Sequence, residues 1–219
     1  MGQPIGDVYL GPGYTEAEIR ESLDRAGLTY TRPGYMAAEV ARRIHKGEVV
    51  ARFAGRMEYG PRALGNRTIM YHGRDPEVNQ WLNQRLGRTE FMPFAPVTLW
   101  EARGKCYSNI GGGEHTAEFM TLTFDCTGFM KRACPAAVHV DGTARPQLIR
   151  REKNPDYYDI LKEHEKLSGS PSVINTSFNM HEEPIVCSPD DAVRAFLDGR
   201  IDGLIAGPFY VESPYLGKK

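Results

Sequence analysis

Four short segments concentrate polar and charged side chains in this chain of 219 residues. The first, GRMEYGPRALGNR (55–67), holds three arginines and three glycines within thirteen residues. Glycine lets a ligand approach the backbone closely, and the planar guanidinium group of arginine matches phosphate and carboxylate in a forked geometry. The segment therefore predicts a binding loop for a phosphate or carboxylate group. A glycine-rich turn whose arginines face solvent is the alternative that its composition leaves open.

The other three segments combine groups that recognise sugars, phosphates or flat rings. In NTSFN (175–179), hydroxyl and amide groups follow a short apolar strand, where open α/β sheets place their ligands. In HVDGTAR, the side chains of His139, Asp141 and Arg145 surround a turn and either meet at a ligand or bond to one another. In RLGRTEFMPFAP (85–96), two arginines precede an aromatic, proline-rich run that either stacks on a flat ring or packs into a core.

Secondary-structure elements with clear boundary signals must position these segments. Helices are predicted from the capping box at Thr15 to Gly27, over 36–46, from Asp75-Pro76 onwards, over 155–167, and from Ser188 to Leu197. Strands are predicted at 49–53, 97–100, 119–124, 172–175 and 203–206. Strands interleaved with helices, without an internal repeat or a low-complexity linker, indicate an α/β fold in a single domain over residues 1–219.

Composition narrows the functional classes. The net charge is −1, but residues 41–105 carry twelve Lys or Arg, ten of them Arg, against six Asp or Glu, which favours a phosphate-bearing ligand. The six histidines and four cysteines form no metal-binding or disulfide pattern, so we expect no transition-metal site and buried reduced thiols. Because it lacks a long apolar run and a signal peptide, the chain is predicted to be cytoplasmic. No Walker-type loop, dinucleotide motif or nucleophile elbow occurs, so a nucleotide must bind through another architecture.

Together these segments resemble the C-terminal, YrdC-like domain of the NodU/TobZ-type O-carbamoyltransferase family. The resemblance rests on GRMEYGPRALGNR, FMPFAP (91–96), HVDGTARPQ (139–147), NTSFN and EPIV (183–186), and it runs from Tyr9 to Phe209. It implies a YrdC-like twisted open mixed sheet with flanking helices and a concave basic face. It also implies that the N-terminal metal-binding transferase domain of the family is absent from this chain.

For function, the resemblance implies that this domain forms carbamoyl-adenylate from carbamoyl phosphate and ATP, with Mg²⁺ accompanying ATP. The separate N-terminal domain, which holds the iron of this family and acts in cis or in trans, then passes the carbamoyl group to a hydroxyl acceptor. Neither a membrane nor a nucleic acid is expected as a partner. Two alternatives stay open: a catalytically weak domain with a structural or regulatory role, and a nucleic-acid-binding module with a YrdC-like basic surface.

The resemblance also assigns roles to residues. The K-x-R element of YrdC-like proteins falls at 86–88, where Leu86 replaces the lysine and Arg88 is present, and Arg85 is the candidate for supplying the missing charge. The S-x-N element is intact at 177–179. Adenylation is a displacement at phosphorus, which positive groups accelerate by stabilising the phosphate oxygens. The predicted catalytic residues are Arg62, Arg88 and Ser177, and the predicted substrate- and nucleotide-binding residues are Arg56, Asn66, Arg67, Arg85, His139, Asp141, Arg145, Asn175 and Asn179.

Overall fold

The structure, a computed structural model, describes residues 6–87 and 94–216. Within these ranges the strands are β1 (Tyr30–Thr31), β2 (Val50–Phe53), β3 (Arg67–Tyr71), β4 (Ala95–Leu99), β5 (Phe124–Asp125), β6 (Thr143–Ala144), β7 (Gln147–Ile149), β8 (Ser172–Ser177), β9 (Gly203–Ala206) and β10 (Phe209–Glu212). The α-helices are α1 (Glu16–Arg25), α2 (Met36–Lys46), α3 (Val78–Arg85), α4 (Arg103–Cys106), α5 (Glu114–Ala117), α6 (Gly128–Ala133), α7 (Pro155–Ser168) and α8 (Pro189–Asp198). Two 3₁₀ turns lie at Trp100–Ala102 and Pro135–Ala137.

Eight of the described strands form one mixed sheet in the order β1-β10-β9-β2-β3-β8-β4-β7. The pairs β2–β9 and β4–β7 are parallel, and the other neighbours in this sheet are antiparallel. The strands β5 and β6 pair separately as a small antiparallel ribbon. The predicted α/β class, with a mixed sheet and flanking helices, is confirmed.

Helices cover both faces of the sheet, which explains why the strands β2, β3, β4 and β9 are buried along their whole length. On β2, Val50 packs into the core shared by α2 and α7, whereas Ala51 packs into the core shared by α1, α3 and α8. Both side chains are fully buried. Because successive side chains of a strand point to opposite faces, β2 links the two cores.

The helix ends follow the capping signals in the sequence. Thr15 and Glu18 form the predicted capping box, in which the Thr15 hydroxyl accepts from the Glu18 N–H and the Glu18 carboxylate accepts from the Thr15 N–H. The helix α2 is followed by Gly47, whose φ of 91° lies in the left-handed region that glycine adopts without strain. Ser188 and Asp191 form a second capping box at α8. The predicted helices α1, α2 and α8 are therefore confirmed.

Two predicted elements differ from the structure. The helix α3 does not start at Asp75, because the Asp75 carboxylate accepts from the Glu77 N–H at 2.9 Å and holds the chain in a turn first. The strand predicted at 119–124 is wrong except for its last residue, which opens β5. The backbone turns instead at Met120, whose φ is 55°. Alternating residue types cannot reveal a turn of this kind when it lacks glycine.

No helix within 6–87 and 94–216 is long and apolar enough to cross a membrane. Over the same residues, no group of three or more His, Cys, Asp or Glu is placed to hold a metal ion. Cys106, Cys126 and Cys134 are buried free thiols. Burial raises the pKa of Cys106 and Cys126 to about 11 and that of Cys134 to about 12. Because the thiolate is the reactive form, burial disfavours reaction at these three thiols.

Candidate functional site

The segment 55–66 connects β2 to β3, and we call it the arginine–glycine loop. Its centre is held by the buried carboxylate of Glu58, whose Oε1 accepts from three backbone N–H groups. The donors are Leu64 and Asn66, both at 2.7 Å, and Arg67 at 3.3 Å. Hydrogen bonds to a charged acceptor are about twice as strong as neutral ones. Glu58 therefore sets the course of the loop, although sequence reasoning did not single it out.

Two predicted binding residues lie buried inside the fold: Asn66 at the end of this loop and Arg67 at the start of β3. The Arg67 guanidinium is buried 3.8 Å from the centre of the Phe53 ring and donates to the Ala54 carbonyl at 2.9 Å. Burial lowers the pKa of Arg67 to about 10. The Asn66 amide donates to the Arg56 carbonyl at 2.7 Å. Both side chains hold the loop in place.

Two further predicted arginines bind protein groups away from the other site residues. The exposed Arg56 guanidinium donates to the carbonyls of Leu10 at 2.6 Å and Gly11 at 3.0 Å, so it holds the N-terminal segment against the loop. The Arg85 guanidinium forms an ion pair with Asp202 at 2.7 Å. The structure therefore does not bring Arg56 or Arg85 to the cleft described below.

The position that the resemblance assigns to the K-x-R lysine is fully buried. Leu86 packs with Leu82 in the core of α1, α3 and α8. A lysine there would have to bury its ammonium group or push it out through the core, and either is costly. Arg88, one of the two predicted catalytic arginines, lies outside the described residues, as do residues 89–93.

All four sequence segments contribute to one depression of about 60 Å³, which we call the arginine cleft, and the segment 85–96 contributes only Ala95. It is lined by Pro61, Arg62, Ala63, Ala95, Met120, Arg145, Asn175, Thr176 and Ser177. The first segment contributes Arg62, the third contributes Arg145, and the fourth contributes Asn175 and Ser177. These four predicted site residues are therefore brought together although they are far apart in sequence.

A larger cavity of about 610 Å³ adjoins the arginine cleft and shares Pro61, Arg62, Met120 and Arg145 with it. Its other lining residues are mostly apolar or aromatic: Val8, Tyr59, Gly60, Leu64, His115, Thr116, Phe119 and Thr121. We call it the apolar cavity. Its size lies within the range of about 300–1,000 Å³ that is usual for small-molecule pockets. A charged cleft beside an apolar cavity suits a ligand with an anionic end and a flat ring.

One wall of the apolar cavity comes from residues 115–121, which sequence reasoning missed. His115 and Phe119 both line the cavity, and their rings form a T-shaped, edge-to-face pair with centroids 5.3 Å apart. Residues four apart lie on the same side of a helical turn. The four-residue spacing of His115 and Phe119 could have indicated this shared face, but Phe119 was assigned to the strand predicted at 119–124.

The arginine cleft brings together two like charges, those of Arg62 and Arg145. Neither Asp nor Glu is found among the residues that line the cleft or the apolar cavity in the described part of the chain. Burial lowers the pKa of Arg145, and the positive charge of Arg62 lowers it further. The Nε of Arg145 is buried and has no hydrogen-bond partner among the described residues. Since a bound anion would relieve both the repulsion and the missing hydrogen bond, the cleft is suited to a phosphate or carboxylate group.

The end of β8 brings a hydroxyl group to the same cleft. This strand continues through Ser177, two residues beyond its predicted end at Asn175, so Ser177 lies within it rather than after it. The Ser177 hydroxyl donates to Oδ1 of Asn179 at 2.6 Å. The Asn179 amide in turn donates to the carbonyls of Met180 and Glu183, both at 2.9 Å. Asn179 therefore holds the turn after β8 and orients Ser177.

The predicted residues His139 and Asp141 bond within their own turn. The Asp141 carboxylate accepts from the Thr143 N–H at 2.9 Å and from the Thr143 hydroxyl at 2.8 Å. These hydrogen bonds lower the pKa of Asp141. His139 Nδ1 lies 3.1 Å from the Thr143 hydroxyl. The turn is thus internally bonded, and from this segment only Arg145 lines the cleft.

Comparison with solved structures identifies the class of fold. The chain superposes on full-length HypF in its phosphate- and nucleotide-bound form with a TM-score of 0.55, 19% identity, and coverage of 81% of this chain and 25% of HypF. It superposes on a P. abyssi Sua5 variant with a TM-score of 0.52, 14% identity, and coverage of 81% of this chain and 46% of that chain. The fold is therefore YrdC-like, as predicted.

The chain belongs to the carbamoyltransferase C-terminal family. The family model described as the carbamoyltransferase C-terminus matches residues 41–213. The nodulation protein NolO of Bradyrhizobium diazoefficiens is 36% identical over 220 residues, which cover 96% of this chain and 40% of NolO. The chain spans between 34% and 40% of the length of the first curated relatives that it matches. The resemblance seen in the sequence is confirmed.

Proposed function

We propose that this chain binds ATP and carbamoyl phosphate in the arginine cleft and the apolar cavity, and that it forms carbamoyl-adenylate there. The observation that carries the proposal is the convergence of Arg62, Arg145 and Ser177 on one cleft whose lining, over residues 6–87 and 94–216, includes no carboxylate. The phosphate- and nucleotide-bound form of HypF, which shares the fold, supports the choice of ligand. Membership of the carbamoyltransferase C-terminal family supports the choice of the transferred group.

The proposed reaction consumes one water molecule and yields pyrophosphate and inorganic phosphate. Water cleaves carbamoyl phosphate to carbamate and inorganic phosphate. A carbamate oxygen then attacks the α-phosphorus of ATP, the bond from that phosphorus to the bridging oxygen of pyrophosphate breaks, and pyrophosphate leaves. Arg62 and Arg145 stabilise the negative charge on the phosphate oxygens in the transition state.

The apolar cavity accommodates the adenine ring in this proposal. Tyr59 and Phe119 supply aromatic surface, and Met120 supplies an adaptable apolar side chain where the cavity meets the cleft. Mg²⁺ enters with ATP and is held by phosphate oxygens and water, since the described lining offers no carboxylate ligand. We assign transfer to the hydroxyl acceptor to a separate metal-binding domain, in cis or in trans.

A second candidate is a catalytically weak domain that binds the nucleotide but turns it over slowly. The observation that favours it is the buried Leu86 at the position of the family lysine. This candidate predicts ATP binding without pyrophosphate exchange, so a single pair of measurements separates it from the adenylating enzyme.

The test is pyrophosphate exchange into ATP by the whole chain, measured with and without carbamoyl phosphate. We expect exchange that depends on carbamoyl phosphate and is lost in Arg145→Met. Arg25→Met is the matched control, because Arg25 is an exposed arginine on α1 that pairs with Asp190 at 3.2 Å. No exchange together with no ATP binding at millimolar concentration in calorimetry would refute the proposed function.

A further inference from the structure

Three buried side chains form a hydrogen-bond network at the edge of the arginine cleft: Thr68 on β3, Gln147 on β7 and Asn175 on β8. The Asn175 amide donates to Gln147 Oε1 at 2.8 Å and to the Ala63 carbonyl at 3.0 Å. Its Oδ1 accepts from the Thr68 hydroxyl at 3.2 Å. The Gln147 amide donates to the Leu64 carbonyl at 2.7 Å. The exposed fractions of Thr68, Gln147 and Asn175 are 0%, 3% and 2%, so water does not compete for these bonds.

The network ties together the two backbone segments that carry the guanidinium groups of the cleft. Residues 63–64, whose carbonyls accept from the network, directly follow Arg62. Gln147 lies two residues after Arg145. Because like charges repel, the two guanidinium groups stay close only if the surrounding scaffold holds them there. The bonds of Gln147 and Asn175 are placed to do so.

The same bonds occupy the donor groups of Asn175. A side-chain amide has two N–H donors. In Asn175 both donate to protein oxygens, those of Ala63 and Gln147. Although Asn175 lines the cleft, it therefore has no N–H to offer a ligand without breaking the network.

We propose that Gln147 and Asn175 are positioning residues that set the separation of Arg62 and Arg145 to match one tetrahedral oxyanion. The amides act through the two arginines and do not contact the ligand. This inference rests on the proposed function, because it takes a phosphate group as the ligand of the cleft. Recognition by two fixed groups is sensitive to small displacements of either one, so loosening the scaffold weakens binding even when both arginines are present.

The test uses Gln147→Met, which keeps the side-chain length and removes both hydrogen bonds of Gln147. The matched control is Thr98→Val, which removes two equally buried bonds, to the hydroxyls of Tyr107 at 2.7 Å and Ser172 at 2.8 Å. ATP binding is measured by calorimetry in the parent chain, both variants, Arg62→Met and the Gln147→Met/Arg62→Met double variant. Thermal unfolding is followed in parallel.

Gln147→Met should weaken ATP binding about tenfold in the parent chain but less than about twofold in the Arg62→Met background, because the amide acts through that arginine. Thr98→Val should lower the unfolding temperature by about as much as Gln147→Met does, because both variants lose two buried hydrogen bonds, but it should leave the ATP affinity unchanged. Additive losses in the double variant, or equal weakening by Thr98→Val, would overturn the positioning role.

Amide hydrogen exchange gives a readout that does not depend on ATP. Exchange at residues 63–66 should be about tenfold faster in Gln147→Met than in the parent chain and unchanged in Thr98→Val, because local opening follows local hydrogen bonding. Unchanged exchange at 63–66 in Gln147→Met refutes the positioning role. Absence of ATP binding in the parent chain refutes the proposed function instead, so the two failures are distinguishable.

Discussion

Replacing Arg145 by methionine should weaken ATP binding and at the same time leave the fold as stable as before or more stable. Arg145 and Arg62 line the same cleft, and none of its lining residues in the described part of the chain carries a carboxylate. The Nε of Arg145 is buried without a hydrogen-bond partner among the described residues. A buried N–H that lacks a hydrogen-bond acceptor in the free protein destabilises the fold, whereas a bound phosphate group would supply that acceptor. We therefore expect Arg145 to contribute to ligand binding rather than to stability.

The structure sets the size of both effects. Removing one partner of a desolvated charged contact costs about 2–5 kcal/mol, and we take about 2 kcal/mol because Arg62 on the other side of the cleft is exposed to solvent. This corresponds to about 30-fold weaker ATP binding. A buried unsatisfied donor costs about 1–3 kcal/mol, and methionine removes it while keeping the apolar stem. Stability should therefore rise by about 1 kcal/mol, or about 2–4 °C in the unfolding temperature for a chain of this length.

Calorimetric titration with ATP and thermal unfolding by circular dichroism measure the two effects on the same samples. Arg25→Met again serves as the control and should change neither quantity appreciably, since exposed ion pairs contribute about 0–1 kcal/mol. ATP binding should also depend less on salt in Arg145→Met than in the parent chain, because one of the two positive charges is gone. Unchanged ATP affinity with a stability loss above about 1 kcal/mol would show that Arg145 is a structural residue.

Three further predictions concern the structures that support the cleft. Glu58→Ala should lower the free energy of unfolding by about 3 kcal/mol in urea titrations, because three buried N–H groups lose their charged acceptor; a loss below about 1 kcal/mol would contradict this role. Gly65→Ala should lower the unfolding temperature more than Gly169→Ala does. Both glycines have positive φ, but an added Cβ at Gly65 would lie 2.4 Å from the Tyr157 ring, whereas the space at Gly169 is open. Equal unfolding temperatures of the two variants would refute the clash. Burial lowers the pKa of His164 to about 4. The unfolded chain, in which His titrates near about 6.5, therefore takes up the proton first, and stability falls as the pH drops from about 6.5 to about 4. His164→Gln should flatten this decline in urea titrations across that pH range, and an identical decline in parent and variant would exclude His164 as its source.

The elements of the fold were largely predictable because their signals are local. The capping box at Thr15, the N-cap at Ser188 and the end of α2 before Gly47 are signalled by neighbouring residues, and the structure confirms all three. The turn at Met120 was missed because a non-glycine residue with positive φ leaves no mark in a residue pattern. Its conformation is imposed by packing against the rest of the domain.

The candidate site was only partly predictable, because its arginines occur in similar sequence surroundings. Arg62 and Arg67 stand five residues apart in the same glycine-rich segment. In the structure Arg62 lines the cleft, whereas Arg67 is buried against Phe53. Composition cannot separate these outcomes, since they depend on where β3 begins and on the bonds that Glu58 makes to the loop.

The sequence by itself determined the family, the α/β class, the ends of helices with clear caps such as α1, α2 and α8, and the supply of guanidinium and hydroxyl groups for binding an anion. Only the tertiary structure decided which of these groups share a cleft, that Asn175 is held by Gln147, and that residues 115–121 close an apolar cavity beside them. The physical reason is the range of the interactions. Caps and periodicities depend on residues a few positions apart. The cleft, in contrast, depends on pairing between strands that are far apart in sequence, such as β3 with β8 and β4 with β7.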